Sequence, residues 1–158
     1  MIVIADTGAL ISLSIIDKLD LLDKLYGEIY IPKAVWDELL HHIDKFGENN
    51  ISLYKSKIRK ITTENKFIKA VGLGESEAIT LYQELGADYL LIDDKDARLV
   101  AEMNDITCAG TLAVLIKARA GGMLESFRPL FKKLKEHDRH FSNSLLNKIL
   151  TENGETEL

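Results

Sequence analysis

Cysteine is almost absent from the chain, because Cys108 is the single cysteine among 158 residues. No disulfide can form within such a chain, and we expect a reducing compartment and a cytoplasmic protein. Long apolar runs are also lacking. None approaches the roughly 18 residues of a transmembrane helix, so we expect no membrane partner. The first residues lack the basic flank and the apolar length of a signal peptide.

An excess of basic residues is lacking too, since 20 Lys and Arg stand against 25 Asp and Glu, for a formal net charge of -5. This balance excludes a protein that coats nucleic acid without sequence preference. It does not exclude a nuclease, because clustered catalytic acids make the total more negative than the face that binds the substrate. The hydrophobic fraction of 46% and charged fraction of 28% are those of an ordinary globular protein.

Short apolar runs alternate with helical patterns along the first 122 residues. A spacing of three between apolar residues from Leu10 to Leu25 predicts one helix, and a second is predicted from Pro32 to about Gly47. We therefore predict an α/β fold in which a mostly parallel sheet lies between helices. One domain would span residues 1–158, with the α/β core in 1–122 and C-terminal helices in 123–158. The predicted strands are Ile2–Ala5, Ile29–Ile31, Tyr89–Ile92 and Ile106–Ala109.

Carboxylates follow two of these strands directly. Asp6 ends the first apolar run, and Asp93 and Asp94 end the run that begins at Tyr89. Because parallel strands end at the same edge of a sheet, where α/β folds bind their ligands, these acids can be neighbours. Taken alone, an aspartate after a strand is also a common helix cap.

Further acids lie on predicted helices. Glu38 follows Pro32 among apolar neighbours, and Glu75 and Glu77 lie in the first turns of a helix that two glycines precede. The Glu-x-Glu pair also fits a solvated helix start that complements the helix dipole. Crowded carboxylates repel each other unless a cation lies between them, and Mg²⁺ and Mn²⁺ prefer such oxygen ligands. The combination suits metal-assisted hydrolysis of a phosphodiester.

Other chemistries fit the sequence less well. Gly72-x-Gly74 follows no strand, so it is not a dinucleotide fingerprint. Asp6-Thr7-Gly8 is similar to the nucleophile strand of aspartate-dependent phosphatases, but those require a second aspartate where Gly8 stands. A zinc site is not expected, because the histidines lie on polar segments without nearby cysteine. The histidines are His41, His42, His137 and His140.

The order and spacing of these segments resemble the PIN-domain superfamily, specifically the small prokaryotic PIN-like proteins related to toxin ribonucleases. The resemblance spans nearly the whole chain, and its segments are Val3–Ile11, Ile31–Leu39, Gly72–Ile79, Leu91–Arg98 and Ala109–Leu112. It implies a three-layer α/β/α fold with a central, mostly parallel sheet and a helical C-terminal extension.

The same resemblance implies an acidic site for Mg²⁺ or Mn²⁺. Asp6 and Glu38 fall on the first two acids of the family. The third is Glu75 or Glu77, where most PIN domains have a single aspartate. Flap endonucleases, which are distant relatives, carry a similar Glu-x-Glu pair in which both acids serve the metals. The fourth is Asp94 in preference to Asp93. The implied catalytic residues are Asp6, Glu38, Glu75, Glu77 and Asp94, the metal ligands are Asp6, Glu38, Glu75 and Asp94, and Glu77, Asp93 and Asp96 are further candidate ligands.

Three more side chains are candidates around this site. Thr7 or Ser12 could orient Asp6 or a water molecule. Arg98 could contact a substrate phosphate, and an ion pair with a nearby acid is the alternative.

The resemblance predicts a metal-dependent endoribonuclease that hydrolyses RNA, the toxin of a toxin–antitoxin pair with a small antitoxin as partner. It also implies a homodimer, for which the apolar helix after Asp6 is the candidate surface. Two alternatives remain open: a catalytically weak or inactive PIN-fold protein that binds or regulates a partner, and a small-molecule phosphohydrolase.

Overall fold

A four-stranded parallel sheet forms the centre of the protein, in a computed structural model that describes all residues from 1 to 158. The strand order is β2-β1-β3-β4, so the first strand is interior, and Val3 pairs with Ile29 on one side and Tyr89 on the other. The α/β fold with a parallel sheet, predicted from the apolar runs, is confirmed. The strands are β1 (Ile2–Ala5), β2 (Glu28–Tyr30), β3 (Tyr89–Leu91) and β4 (Cys108–Ala109).

Ten α-helices surround the sheet, together with one 3-10 turn at Lys55–Lys57. None is long and apolar enough to cross a membrane. In chain order they are α1 (Thr7–Ile15), α2 (Leu21–Leu25), α3 (Lys33–His41), α4 (Ile43–Phe46), α5 (Glu48–Tyr54), α6 (Leu73–Leu85), α7 (Lys95–Met103), α8 (Thr111–Ala120), α9 (Arg128–Glu136) and α10 (Asn143–Glu152).

Two predicted helices are wrong in length. The apolar residues from Leu10 to Leu25 belong to two helices, because Asp17 adopts a φ of 54° and ends the first of them. The helix predicted from Pro32 to about Gly47 is likewise two helices, divided at His42. Apolar spacing did not reveal either break, because buried side chains occur on both sides of each: Leu13 and Leu21 around Asp17, and Leu39 and Phe46 around His42.

The core has one cluster on each face of the sheet. Alternation along β1 shows this directly, since Val3 and Ala5 belong to a cluster of 28 buried residues and Ile4 to a cluster of 10. Phe131 of α9 and Leu146 of α10 lie in the larger cluster. The C-terminal helices therefore pack into the same core as the first strand, and their position depends on it.

Helix α1 is buried in this larger cluster. Leu10 and Leu13 are fully buried, and Ile11 is 4% exposed. A helix in this position has no apolar face left for a second copy of the chain. The proposal that α1 is the dimer surface is therefore wrong, because its apolar residues are already used by the monomer's core.

Candidate active site

A polar cavity of about 380 Å³ lies at the carboxyl ends of β1 and β3, where the parallel sheet was expected to gather its acids. Only one of its 14 lining residues is hydrophobic. We call this cavity the acidic pocket. Six acidic side chains line it: Asp6, Glu38, Glu75, Asp93, Asp94 and Asp138.

Asp6 lies at the buried end of the acidic pocket. Its backbone N–H donates to the Leu91 carbonyl at 2.9 Å, which continues the sheet by one residue before α1 begins. The side chain is 6% exposed, makes no capping hydrogen bond to α1, and its Oδ1 atom has no hydrogen-bond partner. Burial first, and the charge of Glu75 second, raise the pKa of Asp6 to about 8. The side chain is thus not a helix cap.

Glu38 reaches the acidic pocket from α3. The Thr7 hydroxyl donates a hydrogen bond to Glu38 Oε2, and this contact fixes the carboxylate beside the start of α1. The close approach depends on a glycine, since a Cβ atom placed on Gly74 would lie 2.5 Å from Glu38 Oε1. The Glu38 carboxylate therefore occupies space that any other residue at position 74 of α6 would fill.

Glu75 and Glu77 point in different directions from α6. Glu75 lines the acidic pocket, and its Oε2 accepts a hydrogen bond from the Gly72 N–H at 2.9 Å. Burial raises the pKa of Glu75, and Asp94 and Glu38 raise it too. Glu77 lies outside the pocket, where its Oε1 accepts from the Ala34 N–H at 3.1 Å, at the start of α3. Only Glu75 of the pair contacts the pocket.

Asp93 and Asp94 both line the acidic pocket but differ in their partners. Both oxygens of Asp93 accept from Thr111, from its N–H at 2.7 Å and its hydroxyl at 2.6 Å. Burial raises the pKa of Asp93, although these bonds oppose the shift. Asp94 is exposed, and its Oδ1 caps α7 by accepting from the Ala97 N–H at 2.8 Å. Asp94 Oδ2 accepts no such bond, whereas Asp96 is exposed and does not line the pocket.

Sequence reasoning missed the C-terminal side of the acidic pocket, which residues 138–141 form. Asp138 adopts a φ of 56° and turns the chain at the end of α9, and Arg139 then points back to α1. Arg139 Nε donates to Ser12 Oγ at 2.9 Å, and Nη2 donates to the Gly8 carbonyl at 2.9 Å. Ser12 is therefore a partner of Arg139. No pattern in the sequence connects Arg139 with a segment more than 100 residues away.

Arg98 and the four histidines are the remaining candidate residues. Arg98 does not line the acidic pocket, and its Nε donates to Glu102 Oε1 at 2.8 Å, an ion pair along α7. His140, for which the sequence predicted only a place on a polar segment, lines the pocket. His41, His42 and His137 do not line it.

The donor set of the acidic pocket fits a hard divalent cation in its chemistry. The lining acids supply carboxylate oxygens only, and the buried Asp6 Oδ1 atom has no hydrogen-bond partner in the protein. In the structure as it stands, no three His, Cys, Asp or Glu side chains are close enough together to hold an ion. Binding would therefore require carboxylate side chains to rotate toward one another.

Comparisons with known proteins agree with this architecture. A family model described as "DUF3368: PIN domain" matches residues 2–155. A solved structure of a PilT N-terminus domain protein from the archaeon Sulfolobus solfataricus P2 is similar, with a TM-score of 0.55 and 16% identity, over 75% of this chain and 93% of that one. At this identity the likeness shows the fold alone. No curated protein matches the chain in sequence.

Proposed function

The chain belongs to the PIN-domain family, and on that premise we propose that it is a divalent-metal-dependent endoribonuclease that hydrolyses RNA at the acidic pocket. PIN domains are generally nucleases. The observation that carries the proposal is the state of Asp6, a buried carboxyl group with a partnerless oxygen and a pKa raised to about 8. Such a group, surrounded by further acids, is stable in its ionised form only beside a cation.

Different residues of the acidic pocket would have different roles in such a site. Asp6, Glu38, Glu75 and Asp94 would hold Mg²⁺ or Mn²⁺. A bound ion would supply charge neutralisation, polarisation of the phosphate and a lowered pKa for the attacking water. Thr7 keeps the Glu38 carboxylate in place through its hydrogen bond. Arg139 holds the C-terminal segment against α1, so that the side of the pocket formed by residues 138–141 has a fixed position.

The test is cleavage of a single-stranded RNA oligonucleotide by the full chain, with Mn²⁺ or Mg²⁺ and then with EDTA in excess. We expect cleavage with either ion and none with the chelator. Parallel assays use single-stranded DNA and p-nitrophenyl phosphate. Faster turnover of the phosphomonoester than of RNA would instead support a small-molecule phosphohydrolase. No cleavage at high protein concentration would support a PIN-fold binding or regulatory protein.

Glu75 and Glu77 offer a comparison within one helix. We expect Glu75→Gln to lower the rate of RNA cleavage by at least roughly 10- to 100-fold, since changing a group that only supports a metal ligand already has an effect of this size. The reason is that the substitution removes a charge from the acidic pocket, while the oxygen of the new amide can still accept from the Gly72 N–H. Glu77→Gln changes the total charge equally but outside the pocket, and the oxygen of its amide can still accept from the Ala34 N–H, so its rate is expected to stay within about twofold of wild type.

The outcome is measured as kcat and KM in Mn²⁺, with thermal unfolding as a check on folding. A loss of activity in Glu77→Gln that equals or exceeds the loss in Glu75→Gln would contradict this assignment. It would place the third acid of the site at Glu77.

The biological role extends the proposal. Small size and family membership support a toxin ribonuclease of the cytoplasm, with a small antitoxin protein that covers the acidic pocket. The homodimer that the family resemblance implies is kept as part of this proposal, on a surface other than α1. Co-expression with the product of an adjacent short reading frame would test the partner, since a true antitoxin would suppress RNA cleavage by the purified complex.

A further inference from the structure

A second cavity, of about 420 Å³, adjoins the acidic pocket and differs from it in character. The two cavities share Asp93, His140 and Phe141 in their linings, so these three residues lie at the border between them. We call the second one the side groove. It lies between the start of α7, the turn from β4 to α8, and the segment that leads into α10. Its volume is within the range of small-ligand sites.

The charge of the side groove is opposite to that of the acidic pocket. Lys95 and Arg98 line it three residues apart on one face of α7, and Asp93 is its one acid. Lys95 is exposed and forms no ion pair. Arg98 donates from Nε to Glu102, while its Nη1 lies 3.8 Å from a Cβ atom placed on Gly110. Its Nη1 and Nη2 atoms donate no hydrogen bond within the protein, so these donors of a residue that lines the groove remain available.

Apolar side chains line the side groove together with these two cations. Phe141 is half-buried and packs with one side against the larger core cluster, which holds its ring in place. Leu145 is 46% exposed beside it, and Leu112 and Ala113 complete the apolar lining. An anchored aromatic ring and two cations in one groove are the combination that binds unpaired nucleotides, since the base stacks on the ring and the phosphate contacts the cations.

We propose that the side groove binds the nucleotide next to the scissile phosphate of single-stranded RNA, with its base on Phe141 and its phosphate at Lys95 and Arg98. This inference rests on the proposed ribonuclease function, because it places the reacting phosphate in the acidic pocket. It excludes a duplex as the favoured substrate, since a paired base is already stacked and cannot enter the groove. Charge complementarity and the aromatic ring favour a nucleotide over an acidic peptide, which would not use Phe141.

Binding is tested separately from cleavage, by fluorescence anisotropy with a labelled short oligouridylate and the full chain carrying Asp6→Asn, without added metal. Phe141→Leu keeps an apolar side chain against the core but removes the stacking surface, and we expect about tenfold weaker binding. Lys95→Gln is expected to reduce the slope of log K against log salt by about 0.7, the value for one phosphate contact on a single strand.

Lys132→Gln is the matched control, because Lys132 is an exposed lysine of α9 outside both cavities. It should leave both the affinity and the salt slope unchanged. Equal effects of Lys95→Gln and Lys132→Gln on the salt slope, or an unchanged affinity in Phe141→Leu, would overturn the proposal that the side groove binds a nucleotide. Equal affinity for a duplex of the same length would overturn it as well.

The two proposals can fail independently. If the protein binds oligouridylate through Lys95 and Phe141 but cleaves no RNA in Mn²⁺, the proposed role of the side groove is supported and the proposed ribonuclease function is wrong. If RNA is cleaved and its KM is unchanged in both Phe141→Leu and Lys95→Gln, the proposed ribonuclease function is supported and the proposed role of the side groove is wrong. Thermal unfolding of each variant separates these outcomes from a loss of folded protein.

Discussion

Replacing Asp6 by asparagine is expected to reduce Mn²⁺-dependent RNA cleavage roughly 1,000-fold, the upper range for removal of one preorganised electrostatic group. The carboxyl group lies at the buried end of the acidic pocket, and its Oδ1 has no protein partner. The amide occupies nearly the same volume but cannot carry the negative charge that an ion requires. The rate loss is measured as kcat/KM for the same RNA oligonucleotide in wild type and variant.

Asp6→Asn lowers activity, but we expect it to remove a loss of stability that the metal-free wild type shows as the pH rises. The pKa of Asp6 is raised from 3.8 to about 8 by folding, so between these values the folded state binds a proton that the unfolded state does not. Stability must therefore fall as pH rises across this window, and Asp6→Asn removes that contribution. We expect the Tm of the metal-free wild type to fall from pH 5 to pH 8 more steeply than that of the variant.

Bound Mn²⁺ should reverse the order of the Tm values of wild type and Asp6→Asn. Binding requires the ionised carboxylate, so Mn²⁺ displaces the proton and raises the Tm of the wild type, and the rise is largest near pH 8. Asp105→Asn is the matched control, because this exposed aspartate precedes β4 at the opposite edge of the sheet. A Tm increase with Mn²⁺ that is equal in Asp6→Asn and Asp105→Asn would contradict the role of Asp6.

Gly74→Ala is expected to lower RNA cleavage by roughly 10- to 100-fold, as for a disturbed supporting group of a metal site. The new Cβ atom would lie 2.5 Å from Glu38 Oε1 and 2.9 Å from its Cδ, so the carboxylate must move. Displacing the end of a flexible side chain costs little stability, and replacing glycine by alanine in the first turn of α6 reduces the conformational entropy of the unfolded chain. We therefore expect a Tm equal to or above that of wild type, with activity lost.

Lost activity together with an equal or higher Tm would show that Gly74→Ala displaces the Glu38 carboxylate and does not unfold the protein. Gly121→Ala is the control, because a Cβ atom there meets its nearest neighbours at 3.6 Å, an ordinary contact distance. It should leave cleavage unchanged. A Gly74→Ala protein with wild-type kcat would show that the position of Glu38 does not matter to the reaction.

The sequence predicted the sheet and its acidic edge because both depend on local patterns. Apolar runs such as Ile2–Ala5 are buried on both faces, and strands of this kind pair in parallel, which places Asp6 and Asp93 at one edge. The choice between Glu75 and Glu77 could not be made from such patterns. Two residues along a helix point about 200° apart, so one of them faces the pocket, but the sequence does not give the rotation of α6.

The C-terminal side of the pocket lay beyond sequence reasoning for a different reason. Arg139 reaches Ser12 and the Gly8 carbonyl because α9 packs Phe131 into the larger core cluster and Asp138 then turns the chain. Each of these steps depends on tertiary packing. The breaks at Asp17 and His42 are of the same kind, since local backbone conformation decided them against an uninterrupted apolar pattern.

The central claim, that the acidic pocket holds a divalent cation, is tested most directly by a crystal soaked in Mn²⁺ and measured for anomalous scattering. We predict a peak in the pocket within coordination distance of Asp6 Oδ1, with Glu38, Glu75 or Asp94 among the other ligands, and no such peak in Asp6→Asn crystals. A pocket without a peak at Mn²⁺ concentrations that support RNA cleavage, or a peak that persists in Asp6→Asn, would contradict it.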